Sequence, residues 1–387
     1  MDFDAAIDRR NTGCVKYDGL KDAFGNDNLI PLWVADMDFA VCPAIQEALM
    51  RRVEHPVYGY SITPESYWQS IIDWCATRHG FNFTKEELRY VPGVVRGLSY
   101  AILHFTRPGD RVLIQPPVYH PFRHIIEGNG RKVVNNRLLE DADGHFLMDF
   151  DLLERQLRDE RPAMMILCNP HNPGGRVWTA DELRRVAKLC RTYGTFVASD
   201  EIHGDVELFG NRYTPFASVS EDATQNSIML AAPSKTFNIP GIVSSWCVIK
   251  NEKLRRSFFH FLDVNEYSAP TMFVTAATEA AYRHGSQWLD EVLRYIEDNI
   301  VFVEDFLHRE IPEIRPIRPQ ASFLVWLDCT ATGLQGDALR RLFVDKAGLA
   351  LNDGEIFGPG GERHMRLNVA CTRATLADAL SRLAKAF

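Results

Sequence analysis

At 387 residues, with 46% hydrophobic and 24% charged side chains, the chain has ordinary globular composition and length enough for two domains. Its net charge of −8, from 43 basic and 51 acidic residues, argues against nucleic acid or an anionic membrane as the main partner. No apolar run approaches the ~18 residues of a membrane span, and the eight cysteines contain no CxxC pair, which fits reduced thiols better than a disulfide framework or a zinc site.

In chain order, MDFDAAIDRR opens with acids and lacks an apolar core, so no secretory signal is visible and a cytoplasmic protein is expected. Residues 1–45 are rich in turn formers before the apolar LIPLWVADMDF. From 46 to 280 short apolar runs alternate with amphipathic stretches. RVLIQ (111–115), AMMILC (163–168), TFVAS (195–199), SIMLAA (227–232) and SWCVIK (245–250) are predicted strands. Between the second and third, Leu183, Val186, Ala187, Leu189 and Cys190 stand at helical spacing. Strand, helix and strand in series imply a mainly parallel sheet with right-handed crossovers. Beyond this, TAATEAAYRHGSQWLDEVLRYIEDNIVFVEDFLHREI reads as nearly continuous helix. SFLVWLD and HMRLNVAC then read as strands, and RATLADALSRLAKAF as a closing helix. The expectation is an α/β fold: a large domain over 46–280, with a smaller α+β domain from 281–387 joined by 1–45.

Three of the predicted strands deliver a polar group just past their ends. AMMILCNPHNPGG brings Asn172, TFVASDEIHG brings Asp200, and SIMLAAPSKTFNIPG brings Lys235. The carboxyl edge of a parallel sheet is where ligands bind in such folds. An amide, a carboxylate and an amine suit pyridoxal 5′-phosphate. The amine forms a Schiff base, the carboxylate keeps the pyridine nitrogen protonated, and the amide bonds the ring oxygen. A carboxylate ending a buried strand needs a cationic partner, which the pyridinium supplies. The Pro-Gly turn leading into Gly93-Val94-Val95 and RGLSYAILHF offers amides at a helix N-terminus, a natural phosphate site, with Ser234 a second ligand. Tyr119 presents a flat face that can stack on a planar ring.

LWVADMDF (32–39), HPVYGY (55–60), PGVVRGLSYA (92–101), IQPPVYHPF (114–122), LCNPHNPGGRVW (167–178), SDEIHGD (199–205), PSKTFNIPG (233–241) and MRLNVACTR (365–373) stand in one order over nearly the whole chain. In that order the chain resembles the fold type I pyridoxal-phosphate enzymes, the group of the aspartate aminotransferases. Within it the chain is similar to the carbon–sulfur β-lyase subgroup, the cystathionine β-lyases of the MalY/PatB kind. The resemblance implies a homodimer with active sites at the subunit interface, where Tyr60 reaches the neighbour's phosphate. It implies that Arg366 grips the substrate carboxylate with a bidentate fork, Trp33 and Ala35 lining the same end, with Arg373 the fallback. His203 stands where aminotransferases commonly carry a tyrosine, and His171 is a second departure of the lyase kind. His120 follows Tyr119 at a position that some relatives fill with an aromatic ring. Val243 replaces an arginine that many aminotransferases place eight residues after the lysine; Arg96 is a candidate substitute.

The activity so implied is α,β-elimination on L-cystathionine or a related S-substituted L-cysteine, with Lys235 as the base. Transamination is the alternative within the fold, and a regulatory protein on the same scaffold a third reading. GPGGER (358–363) follows no clear strand and is expected to be a loop.

Overall fold

The computed structural model describes residues 1–387. Its main sheet has seven strands in the order Leu88–Val91, Ser245–Val248, Ser227–Ala231, Phe196–Asp200, Met164–Cys168, Arg111–Ile114 and Lys132–Asn135. Only Ser245–Val248 runs against its neighbours. The other adjacent pairs are parallel. The aspartate aminotransferase-like fold of type I is thus present. All five strands predicted between residues 46 and 280 lie in this sheet. Leu88–Val91 and Lys132–Asn135 join it as edge strands that were not foreseen, being only four residues long and partly exposed.

The central strands are apolar on both faces because helices cover both. Met164, Ile166 and Cys168 pack on one side with Leu98, Ile102 and Phe258, while Met165 and Leu167 pack on the other with Leu183 and Val186. The helix Ala180–Tyr193 starts at a capping box, Thr179 with Glu182, and stops at Gly194. Leu183, Val186, Ala187 and Cys190 are buried as their spacing predicts, and Leu189 is partly so.

The long helical signal near the end is two helices, Met272–His284 and Ser286–Glu310. The break falls at Gly285, where a Cβ would sit 2.3 Å from the Phe237 ring and 2.5 Å from the Ala281 carbonyl. Met272–His284 spans residue 280, so a boundary placed there lies inside a helix. Beyond it, a four-stranded antiparallel sheet orders Arg315–Ile317, Leu324–Asp328, His364–Asn368 and Asn352–Asp353. The helix Arg373–Ala386 closes the chain. Ile30–Pro31 pairs in parallel with Leu349–Ala350, which ties the N-terminal stretch to this part of the molecule. No helix is long and apolar enough to cross a membrane. All eight cysteines are free, and seven are buried.

Candidate active site

Parallel strands put their carboxyl ends on one edge, and four side chains meet there. Asp200 ends Phe196–Asp200, Asn172 follows Met164–Cys168, and Tyr119 follows Arg111–Ile114. Lys235 sits on the one-turn helix Pro233–Thr236 after Ser227–Ala231. All four line a cavity of about 250 Å³, with Gly93, Val94 and Val95 also in its wall.

The Lys235 side chain is half-buried and its amine donates to the Ala35 carbonyl. Burial brings its pKa down to about 8; Asp36 and Asp200 oppose the fall and Arg366 adds to it. Its turn is anchored from behind: Thr236 donates to Asp205 at 2.8 Å, and Asp205 also accepts from Trp74 at 2.8 Å and His79 at 2.7 Å. Asp200 has no side-chain partner and accepts only from the Ile202 amide, at 3.1 Å. Burial raises it to about 7, against that bond and the Lys235 charge. An unpaired carboxylate at a buried strand end is costly unless a cation occupies the cavity beside it.

Arg366, on His364–Asn368, is likewise buried without a carboxylate. It donates to Asn172 Oδ1 and to the Trp33 carbonyl, each at 3.0 Å, and to Asn352. Its Nε has no partner, and its guanidinium lies 4.9 Å above the Phe357 ring. Burial lowers it to about 10, still fully cationic near neutral pH. All three neutral braces are oxygens that orient the fork without cancelling its charge, so an anion is the missing partner.

The chain matches the model for "Aminotransferase class I and II" over residues 27–383. It belongs to that family. It is 44% identical to cystathionine beta-lyase PatB of Bacillus subtilis (strain 168), over 99% of each chain. Cystalysin of Treponema denticola, whose crystal structure contains pyridoxal 5′-phosphate, superposes with a TM-score of 0.95 at 33% identity, covering 100% of this chain and 98% of that one. The pyridoxal-phosphate-bound C–S lyase of Staphylococcus hominis gives 0.93 at 30% identity, covering 100% and 98%.

The remaining residues that the family resemblance brought forward are placed as follows. His203 is buried in the cavity wall; burial holds it near 3, so it is neutral, and its Nδ1 has no partner. Ser234 lines the same cavity. The Gly93 amide is not free: it donates to Ser245 Oγ at 2.7 Å, at a φ of +109° that suits glycine. The anion turn therefore offers the Val94 and Val95 amides, which have no partner in the chain. Val243 lines the cavity and holds a left-handed φ of +56°, strained for a β-branched residue. Arg96 is exposed at the rim, with only the Pro92 carbonyl as acceptor, at 3.3 Å.

Other residues stand apart from the cavity. The Trp33 ring turns away, donating to the Lys16 carbonyl at 3.0 Å and packing edge-on against Phe24; only its carbonyl serves the site, while Ala35 lines it. His171 is wedged between Phe146 and Trp178 and kept neutral by burial, a core role. His120 packs on Tyr119 and Phe357 without lining the cavity, and burial brings it to about 4. Arg373 donates to Asn299 at 2.8 Å and covers Phe302, a structural position. Tyr60 is fully exposed. Sequence reasoning missed Ile202, Cys168 and Ser244 in the wall and Asn352 behind Arg366. Asn352 carried no signal, since LNDGEIF has the look of any polar turn.

Arg366→Lys is expected to lower kcat/KM for an amino-acid substrate by about 100-fold, mainly through KM, because an ammonium cannot reproduce the fork. Steady-state kinetics check this, and a KM within twofold of the unaltered value would remove Arg366 from carboxylate binding.

Proposed function

We propose that this chain is a pyridoxal-phosphate-dependent carbon–sulfur β-lyase that converts L-cystathionine or a related S-substituted L-cysteine to pyruvate, ammonia and a thiol. The observation that carries the reading is a set of three charged groups without a charged partner: Lys235 and Asp200 in the wall of one cavity, and Arg366 joined to that wall through Asn172. Lys235 is an amine of lowered pKa, Asp200 a carboxylate without a cation, and Arg366 a cation without a carboxylate. A phosphorylated pyridine aldehyde and an α-amino acid together supply the aldehyde, the pyridinium and the carboxylate that these three lack. The turn at Val94 and Val95, with Ser234, would take the phosphate.

When bound, pyridoxal phosphate supplies an aldehyde for the lysine and an electron sink for the charge left at Cα. Everything else falls to the chain. Lys235 would hold the cofactor and, once freed, take the Cα proton, a role helped by the burial that lowers its amine from 10.5 to about 8. Asp200 would face the pyridine nitrogen, Asn172 and His203 the ring oxygen, and Tyr119 the ring face. Arg366 fixes the α-carboxylate and so sets the Cα–H direction. The Cβ–S bond breaks with its electron pair leaving on sulfur, which gains a proton as thiol; water releases ammonia from the remaining fragment and pyruvate results. His203 in place of a tyrosine and Val243 in place of an arginine resemble the lyase subgroup rather than the aminotransferases, and the 44% identity to a cystathionine β-lyase supports elimination over transamination.

The same reading makes the protein a cytoplasmic homodimer with Tyr60 reaching the neighbouring phosphate. In support, Tyr60 stands free of its own chain beside exposed Val57, Tyr58 and Ile62, an apolar run suited to a partner. It also groups residues 1–45 with 281–387 in a smaller domain, supported by the pairing of Ile30–Pro31 with Leu349–Ala350. Incubation with L-cystathionine is expected to release pyruvate without any added 2-oxo acid, followed by a coupled lactate dehydrogenase assay. A requirement for an acceptor would hand the reading to transamination.

A further inference from the structure

The segment Trp33–Phe39 carries two aspartates, Asp36 and Asp38, neither of which lines the cavity. Both meet cations from the N-terminal stretch. Arg9 forks onto Asp36 at 2.7 and 3.0 Å and reaches Asp38 at 2.6 Å and the Met37 carbonyl at 3.2 Å. Lys16 is fully buried; its ammonium lies 2.8 Å from Asp38 and 3.7 Å from Asp36. Two positive and two negative charges thus close on each other with little water. Such clusters are poor sources of net stability, because desolvation offsets attraction, and their use is to enforce one geometry.

The geometry at stake is that of the backbone between the aspartates and the site. The Ala35 carbonyl is the sole hydrogen-bond acceptor of the Lys235 amine, and the Trp33 carbonyl is one of three on Arg366. Asn368 holds the Val34 and Asp36 carbonyls at 2.7 Å each, and Asn238 holds the Met37 amide and the Met37 and Phe39 carbonyls. These neutral bonds pin the segment to the rest of the fold. The ion cluster adds a clamp from outside the cavity lining.

We infer that Arg9 and Lys16 are positioning residues for the reaction: paired with Asp36 and Asp38, they clamp the 33–38 segment so that the Ala35 carbonyl directs the Lys235 amine. Neither cation lines the cavity; each works through the backbone of the segment it grips. The two acids have separate parts. Asp36 also brings its charge within range of Lys235, partly masked by Arg9, whereas Asp38 takes the buried Lys16.

The test compares Arg9→Gln, Arg9→Lys and Asp36→Asn with the unaltered chain, each loaded with pyridoxal phosphate and assayed on L-cystathionine. Its kinetic part rests on the lyase reading. Arg9→Gln is expected to lower kcat by about tenfold while KM moves less than about threefold. The split follows because Arg366 keeps Asn172 and Asn352 when Trp33 shifts, whereas Lys235 has no second acceptor. Arg9→Lys, which keeps the charge, recovers kcat to within about threefold.

A second measurement is independent of turnover: the pH midpoint for acylation of Lys235 by an amine-reactive ester, read by peptide mass spectrometry on the cofactor-free full chain. Asp36 and Asp200 hold the proton on Lys235, Arg366 repels it, and His203 and Tyr119 face the same cavity uncharged. Unmasking Asp36 by Arg9→Gln moves the midpoint up, and Asp36→Asn moves it down. General loosening of the fold does not produce shifts of opposite sign. Midpoints that both stay within about 0.2 unit of the unaltered chain, or that move together, overturn the inference. So does a kcat loss that a lower melting temperature accounts for. If the unaltered protein releases no pyruvate, the lyase reading fails and the labelling result alone decides this one.

Discussion

Lys235→Ala is expected to lower pyruvate release from an S-substituted cysteine on the order of 10⁴-fold, because one change removes both the covalent anchor and the base. The environment of the amine explains why no neighbour replaces it. Asp200 would be taken up by the pyridine nitrogen, His203 is held neutral near 3, and the Tyr119 hydroxyl is raised by burial, so none offers a free base of matching strength at Cα. Binding and chemistry should separate. The variant keeps Arg366 and the turn at Val94, so it retains cofactor and substrate at weakened affinity while turnover disappears. Borohydride treatment checks the bond itself: the unaltered protein gains the cofactor mass on the peptide containing residue 235, and the variant gains none. A variant with a tenth of normal activity would end the assignment.

Asp200→Asn carries the second large effect, with opposite signs in the two states of the protein. Burial raises the Asp200 carboxyl from its ordinary 3.8 to about 7. Between those values the folded chain keeps a proton that the unfolded chain has released. The cofactor-free fold therefore loses stability as pH rises through that window, and the loss is complete above it. An amide at 200 has no such slope. The cofactor-free variant is expected to melt at a higher temperature than the unaltered chain at pH 8, the two converging near pH 4. Comparing variant with parent also removes the parallel contribution of Glu201, itself raised to about 7 by burial. In the loaded protein the order reverses: the variant is expected to turn over about 10³-fold more slowly, since a neutral amide does not hold a pyridinium. Calorimetry across pH and steady-state kinetics measure the two halves. A cofactor-free variant less stable than its parent at pH 8 would contradict the unpaired state of this carboxylate.

Much of the site was legible because strand ends announce themselves. MMILC is apolar throughout and FVASD opens on three apolar residues in a row, which only a sheet covered on both faces needs, and the polar residues that end or follow such runs are confined to one edge. Asn172, Asp200 and Lys235 could therefore be brought together before any coordinates. Arg366 was reached through the family pattern, since HMRLNVAC alone does not say which end of its strand faces the cavity. Trp33 shows the limit of that route. The motif located the segment correctly, but its ring serves a small core with Phe24 and its carbonyl serves the site. A carbonyl has no side-chain signature, and neither do the amides of Val94 and Val95.

Asp36, Asp38, Arg9 and Lys16 mark the same boundary from the other side. In sequence they are four ordinary charges among 94 in the chain, 43 basic and 51 acidic. Only packing buries Lys16 completely and closes the four on each other. Period and polarity along the chain decided the strands, the covering helices and the edge at which chemistry gathers, because burial on a regular element imposes a repeat that a one-dimensional string preserves. Which groups end up without a partner, which way a ring turns, and whose carbonyl faces an amine were settled only when distant segments met. Those outcomes depend on distances between residues far apart in the chain, 334 positions in the bond from Asn368 to Val34, and no local pattern encodes them.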